Sequence, residues 1–173
     1  MYMIIRVIVD AKNEEEALKK GKDSLERFTG EGKHFDYYMT FDREGNEWKG
    51  NWCHLPPVVL ASSPEGKHFI DVGWKYTVEG YMEALEYVKL AVQYLSPEEI
   101  MERRYPKDLP KDTKEKINVR SIRVYFDELG NQPGNPKFLY HEFEPIFCEE
   151  DLEFALTPKE GLNVYVIPAY VHY

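Results

Sequence analysis

The first forty residues carry apolar and polar positions in an order that predicts strand, helix, strand. Residues 3–10 are rich in Ile and Val, as in a buried strand, and Arg6 within them is expected at an edge or reaching solvent. Asn13 followed by Glu16 has the form of a helix N-cap with a capping box. Residues 35–41 predict a second strand. The connection is long enough to make the two strands parallel neighbours.

The middle of the chain predicts a hairpin and then the longest helix. Residues 58–61 and 67–72 have strand character, and the Ser-Pro-Glu-Gly segment at 63–66 between them is a turn signal. Thr77 is expected to cap a helix whose apolar residues recur at steps of three and four over 78–95. That broad apolar face predicts a helix packed on the sheet.

The C-terminal half alternates between regular and irregular segments. Ser96-Pro97-Glu98-Glu99 predicts a new short helix, and an acidic turn before Leu152 predicts another. Three further strands are predicted, at 119–126, 137–143 and 162–170. Charge and two prolines indicate an exposed loop at 106–116, and glycine-rich turn signals indicate another at 129–136.

These elements predict one α+β domain over residues 1–173, with a mixed or antiparallel sheet that opens with a β-α-β unit. One long amphipathic helix packs on this sheet. The opening strand, capped helix and strand resemble those of ferredoxin-like and related α+β domains. The resemblance covers about the first forty residues and implies a fold without a function.

Composition narrows the functional classes. The chain has 43% hydrophobic residues, enough for a packed core, and only two cysteines, which are expected to be reduced thiols in the cytoplasm. No apolar run is long enough to span a membrane. The net charge of −9 disfavours direct binding to nucleic acid. The scarcity of glutamine beside plentiful Glu and Lys favours a thermophilic source. No nucleotide-binding or catalytic motif is present, so no cofactor is predicted.

The acidic segment at 127–160 supports the leading hypothesis of a small binding or regulatory protein. It holds nine acidic residues against two lysines. Such a surface suits protein–protein contact, through a homo-oligomer or a partner, and in its extreme form masks a basic nucleic-acid-binding protein. The candidate contact residues are acidic or aromatic: Trp48, Trp52, Glu149, Glu150 and Asp151.

The alternative is a metal-dependent hydrolase or nuclease that uses histidine and carboxylate side chains. Its candidate residues are His34, Asp36, His68 and either His141 or Glu142. Asp10 is a separate candidate, for acid-base work with Asp36, because it ends the first strand and ligands collect beyond the carboxyl ends of parallel strands. None has the spacing of a known metal motif, so the sequence assigns no metal site. On this hypothesis the histidines and carboxylates converge in one cleft.

A third hypothesis makes Cys53 a nucleophile. His54 is adjacent, but neighbours on a strand point to opposite faces, so the base would have to come from another segment such as His68. The competing interpretation is a small buried apolar residue.

Overall fold

A computed structural model describes residues 2–42, 55–119, 122 and 138–172 of the protein. Within them, the strands are β1 (Tyr2–Ala11), β2 (Tyr37–Thr40), β3 (Val59–Leu60), β4 (Leu139–His141), β5 (Glu144–Pro145) and β6 (Asn163–His172). The helices are α1 (Glu14–Phe28), α2 (Pro64–Tyr94), α3 (Pro97–Glu102), α4 (Lys111–Lys116) and α5 (Glu149–Leu156).

The strands form one mixed sheet built around the pair of β1 and β6. These two run antiparallel from the Tyr2–His172 pair to the Ala11–Asn163 pair. β4 lies parallel to β1 on its other side, and β5 continues antiparallel to β4. β2 and β3 both pair antiparallel with β6. The predicted α+β class with a mixed sheet is confirmed.

The opening β-α-β unit is present but split. β1 and β2 point the same way because each is antiparallel to β6, which lies between them. The prediction that they are neighbours is therefore wrong. The physical reason is that β6, ten residues long and apolar, pairs along the whole of β1 and leaves no edge there for the shorter β2.

β1 is buried on both faces, which explains its unbroken apolar character. Val7 and Val9 lie in a core that includes Leu25 of α1. Ile8 lies in a second core on the opposite face, with Phe69 of α2. The predicted packing of one long helix on the sheet is confirmed, and α1 covers the other face.

Arg6 is not at an edge. It is only 8% exposed, on a strand flanked by β4 and β6, so the prediction of an edge or solvent position is wrong. A lone charged residue in an apolar strand predicts an edge position as long as the neighbouring strands are unknown. The pairing of residues far apart in sequence makes β1 central.

The predicted hairpin is wrong in its second strand. Residues 67–72 lie in α2, which begins at Pro64. The Ser63 hydroxyl oxygen accepts a hydrogen bond from the Gly66 amide at 3.0 Å, so the predicted turn is the start of a helix. Thr77 is also not a cap, because it lies mid-helix and donates its hydroxyl to the Gly73 carbonyl.

The described residues divide into two compact units, one within 1–77 and 137–173 and the other within 78–136. The second unit has its own buried cluster, which includes Ala91, Leu95 and Ile117. In this unit the Ser96 capping box is confirmed. α4 occupies the second half of the segment 106–116, for which the sequence predicts an exposed loop.

Part of the predicted secondary structure lies outside the described residues. This applies to the loop at 129–136 and to most of the strand at 119–126, where the described Ile122 is helical. The short helix after Cys148 and the closing strand are confirmed as α5 and β6. No helix in the described part of the chain combines the length and apolar character needed to cross a bilayer.

Candidate metal centre

Two parallel strands bring Asp10 and His141 to the same edge of the sheet. β1 and β4 are neighbours, with Ile8 directly opposite His141. Asp10 is two residues beyond Ile8, and side chains two residues apart on a strand share a face. Polar groups at the carboxyl ends of adjacent parallel strands therefore meet beside the helices that cover this face.

Glu142 enters the group through a strained turn between β4 and β5. Its φ is 48°, in the left-handed region, although it is not glycine. The Glu142 amide donates to the Ile8 carbonyl at 2.9 Å, which fixes the turn against the end of β1. This backbone conformation costs about 1 kcal/mol for an L-residue. Strain of this kind is common where a side chain has to be aimed.

The three side chains offer ligand atoms that all lie within 4.8 Å of one another. Asp10 is buried, with 3% of its side chain exposed. His141 Nε2 is buried and has no hydrogen-bond partner among the described residues. Burial lowers the pKa of His141 from its ordinary value, an effect that the nearby Glu142 opposes and Lys159 reinforces. The imidazole is thus neutral near neutral pH and offers a lone pair, the form that binds metals.

Lys159 already places a positive charge between the two carboxylates. Its Nζ lies 3.2 Å from Asp10 Oδ2 and 3.1 Å from Glu142 Oε1. Hydrogen bonds to Glu142 and then Asp10 raise the pKa of Lys159 above its usual value. The ammonium marks the point where the site favours a cation. Its side chain is 55% exposed, so it can leave that point without crossing the core.

The ring of Phe154 on α5 supports the site from outside. It meets the imidazole of His141 edge-on, with the ring centroids 5.5 Å apart. Such a contact restricts the rotation of the imidazole without using either ring nitrogen. Asp10 is held from the other side by Lys20, whose Nζ donates to the Asp10 backbone carbonyl at 2.7 Å.

The other sequence candidates lie elsewhere. His34 packs edge-on against Phe28, and Asp36 accepts from His172 Nδ1 at 2.7 Å. His68 is exposed on α2. Within the described ranges, none of the three belongs to a group of three or more potential ligands. Cys53, Trp48 and Trp52 lie outside the described residues.

The candidate residues of the acidic segment divide in two. Glu149 and Glu150 are exposed in the first turn of α5. Asp151 instead accepts hydrogen bonds from the amides of Phe147 and Cys148, and these bonds lower its pKa. Asp151 therefore acts as a helix cap.

Lys159 is the site residue that sequence reasoning missed. Its one signal was its position, as one of two lysines within a segment of nine acids. A lysine among so many acidic residues favours an ion pair with one of them, but which one depends on tertiary structure.

Comparison with known proteins finds a family to which the chain is similar over its whole length. The model of the family described as a domain of unknown function, DUF7995, matches residues 1–173. No curated protein matches the chain, and no solved structure does.

Proposed function

The chain belongs to the DUF7995 family, and we propose that it is a divalent-cation-dependent hydrolase whose metal ligands are Asp10, His141 and Glu142. The observation that carries the proposal is the convergence of their ligand atoms within 4.8 Å, at the carboxyl ends of two parallel strands. Two carboxylates and one imidazole suit a borderline or hard ion such as Zn²⁺ or Mn²⁺.

The unpartnered nitrogen of His141 supports a ligand rather than a purely structural role. A buried polar atom without a hydrogen bond costs about 1–3 kcal/mol, and native proteins keep few of them. A metal ion would satisfy Nε2 and both carboxylates together. Three protein ligands leave coordination positions for water and substrate, the arrangement found in catalytic rather than structural sites.

Lys159 has a defined role in this proposal. With a metal bound between the carboxylates, its ammonium moves outward and remains beside the site. From there it donates hydrogen bonds to a negatively charged oxygen, such as one that develops during hydrolysis. The net charge of −9 favours a small substrate over a nucleic acid.

The test is metal binding by purified, chelator-treated protein, measured by calorimetry with Mn²⁺ and Zn²⁺. We expect one ion per chain, and a loss of affinity of about 10- to 100-fold in Asp10→Asn and in His141→Gln. Affinity is expected to persist somewhat below about pH 6.5, because the lowered pKa keeps His141 neutral there, and to fall as the imidazole becomes protonated.

The matched control is His68→Gln, which removes an exposed histidine outside the group and should leave binding unchanged. Hydrolysis of nitrophenyl esters and phosphates, with and without the ion, then separates a catalytic metal from a structural one. Absence of binding, or equal binding by Asp10→Asn, contradicts the site. Binding without metal-stimulated hydrolysis of any of these substrates contradicts the enzymatic role.

A second candidate is the acidic binding protein that composition suggests, acting through α5. Glu149, Glu150 and Glu153 are exposed, and their spacing of three and four places them on one side of the helix. Phe154 beside them is 68% exposed. This arrangement supports contact with a basic, partly apolar protein surface.

Charge reversal of Glu149 and Glu150 to Lys should weaken binding to such a partner by about 10-fold or more and slow association. The measurement is affinity capture from the source cell, with Glu14→Lys and Glu15→Lys in α1 as the charge-matched control. Equal capture by both variants contradicts this function.

A further inference from the structure

A cavity of about 340 Å³ opens beside Arg6 on the sheet face covered by α2. The side chains around it are almost all apolar or aromatic, among them Met3, Val72, Phe138 and Tyr170. Tyr76 stands at its rim with 48% of the residue exposed, and its ring lies 5.4 Å from that of Phe138. The cavity is therefore an apolar pocket with access from solvent, and Arg6 is the one cationic side chain among the described residues that line it.

Arg6 is buried in this pocket, and no described residue gives it an anionic partner. It is 8% exposed, and one of its amino groups donates to the Ile4 carbonyl at 3.0 Å. Its charge also lies 6.0 Å from the centre of the Phe69 ring. Its Nε has no hydrogen-bond partner, and no carboxylate pairs with it in the ranges that the structure describes.

Burying the Arg6 guanidinium in this way destabilises the fold, so stability alone does not explain its position. Buried charges are normally paired, and an isolated one is disfavoured by several kcal/mol even after relaxation. Burial lowers the pKa of Arg6, an effect that Tyr76 partly opposes. The fold also makes room for this side chain. A Cβ on Gly73 would lie 3.0 Å from Arg6 Cδ and 2.6 Å from a methyl of Leu139.

We propose that this pocket binds a small organic monocarboxylate with an apolar or aromatic body, whose carboxylate pairs with Arg6. A guanidinium can hold a carboxylate through two parallel hydrogen bonds from Nε and an amino group. The Arg6 Nε is closed to solvent in the ligand-free protein, so the side chain has to turn toward the pocket to use it. The apolar walls match a hydrocarbon or ring. A single cation matches one negative charge, whereas a phosphate group would require more donors. The volume suits a ligand of small size.

This site is independent of the proposed metal centre. Arg6 and Asp10 lie four residues apart on β1, about 13 Å along an extended strand. The Asp10→Asn variant should therefore bind carboxylates as the unaltered chain does. A metabolite sensor or a second substrate site would each use such a pocket.

The test is calorimetry and thermal melting of the full chain with acetate, isovalerate, phenylacetate and indole-3-acetate. Phenylacetamide serves as the neutral analogue and inorganic phosphate as the competing anion. We expect at least one of the two aromatic acids to bind with a dissociation constant below about 1 mM and to raise the melting temperature. The amide and phosphate should bind at least about 10-fold more weakly.

Two variants locate the binding. Arg6→Met should lose at least about 10-fold in affinity for the acid while melting at the same or a higher temperature, because an apolar side chain replaces an unpaired charge. Val72→Trp should block the pocket with Arg6 still in place. The matched control, Val78→Trp at an exposed position of the same helix, should bind normally.

Several results would overturn the proposal. They are the absence of binding by every acid, equal affinity for phenylacetate and phenylacetamide, tighter binding of phosphate, or unchanged binding in Arg6→Met. A large loss of stability in Arg6→Met would assign the arginine a structural role instead.

Discussion

Replacing Lys159 by methionine is expected to make the stability of the protein depend more strongly on divalent metal than that of the unaltered chain. The Asp10 carboxylate is 3% exposed and is 3.2 Å from the Lys159 ammonium. Without that ammonium, Asp10 keeps a 3.5 Å contact with the Lys159 amide but loses its cation. An uncompensated buried carboxylate should lower the free energy of unfolding of the metal-free protein by about 2 kcal/mol.

Added Mn²⁺ or Zn²⁺ should then restore the stability of this variant. A ligand that binds only the folded state stabilises it by about 2.7 kcal/mol at one hundred times its dissociation constant. The variant should also bind the ion more tightly than the unaltered chain, because no ammonium competes for the carboxylates. The measurement is urea unfolding with and without the ion.

A matched control separates this effect from the loss of any surface ion pair. Lys89 lies 2.8 Å from Glu86, but both side chains are largely exposed, at 59% and 65%. Lys89→Met should change the free energy of unfolding by less than about 1 kcal/mol. This change should be the same with and without the metal ion. If Lys159→Met behaves in the same way, the carboxylates do not form a cation site.

Two glycine-to-alanine substitutions in α2 are expected to change stability in opposite directions. Helix propensity alone predicts that each stabilises the helix by about 1 kcal/mol. At Gly66, however, an added Cβ would overlap the Leu60 carbonyl oxygen and lie 2.8 Å from the Ala61 Cα. Backbone atoms cannot move aside as a flexible side chain can. Gly66→Ala should therefore lower the free energy of unfolding by about 2–3 kcal/mol.

Gly80 is the matched control for that substitution. It lies in the same helix, and an added Cβ there meets nothing within 4 Å. Gly80→Ala should raise the free energy of unfolding by about 0.5–1 kcal/mol. Chemical denaturation of both variants checks the pair. Stabilisation by Gly66→Ala would show that β3 and the start of α2 are not in this close contact.

Gly66 also explains why the sequence wrongly predicted a hairpin turn at the point where α2 begins. The chain contains Ser-Pro-Glu twice, at Ser63 and at Ser96, and both begin helices. At Ser96 the following Glu99 completes a capping box, which the sequence reveals. At Ser63 the third position is Gly66, which in a sequence indicates a turn. In the structure, glycine is needed at this position because the Leu60 carbonyl approaches it closely. That contact is made only in the folded chain.

The candidate metal centre was likewise only partly predictable from the sequence. Asp10 could be singled out because it ends a strand, and polar residues there often face ligands. Its grouping with His141 and Glu142 required the pairing of β1 with β4. Lys159 contacts Asp10 across 149 positions of the chain. Neither pairing leaves a local trace, so the sequence named three members among seven catalytic candidates without grouping them.

The sequence by itself determined the α+β class, the first strand and its capped helix, the acidic-capped α5 and the long closing strand. Caps, turns and apolar periodicity depend on residues a few positions apart, so they can be predicted from the local sequence. Only the tertiary structure decided that β6 separates β1 from β2, that Arg6 is buried and that Asp10 meets His141, Glu142 and Lys159. Those outcomes depend on which segments far apart in the chain pack against one another and exclude water. The packing of the whole sheet decides this.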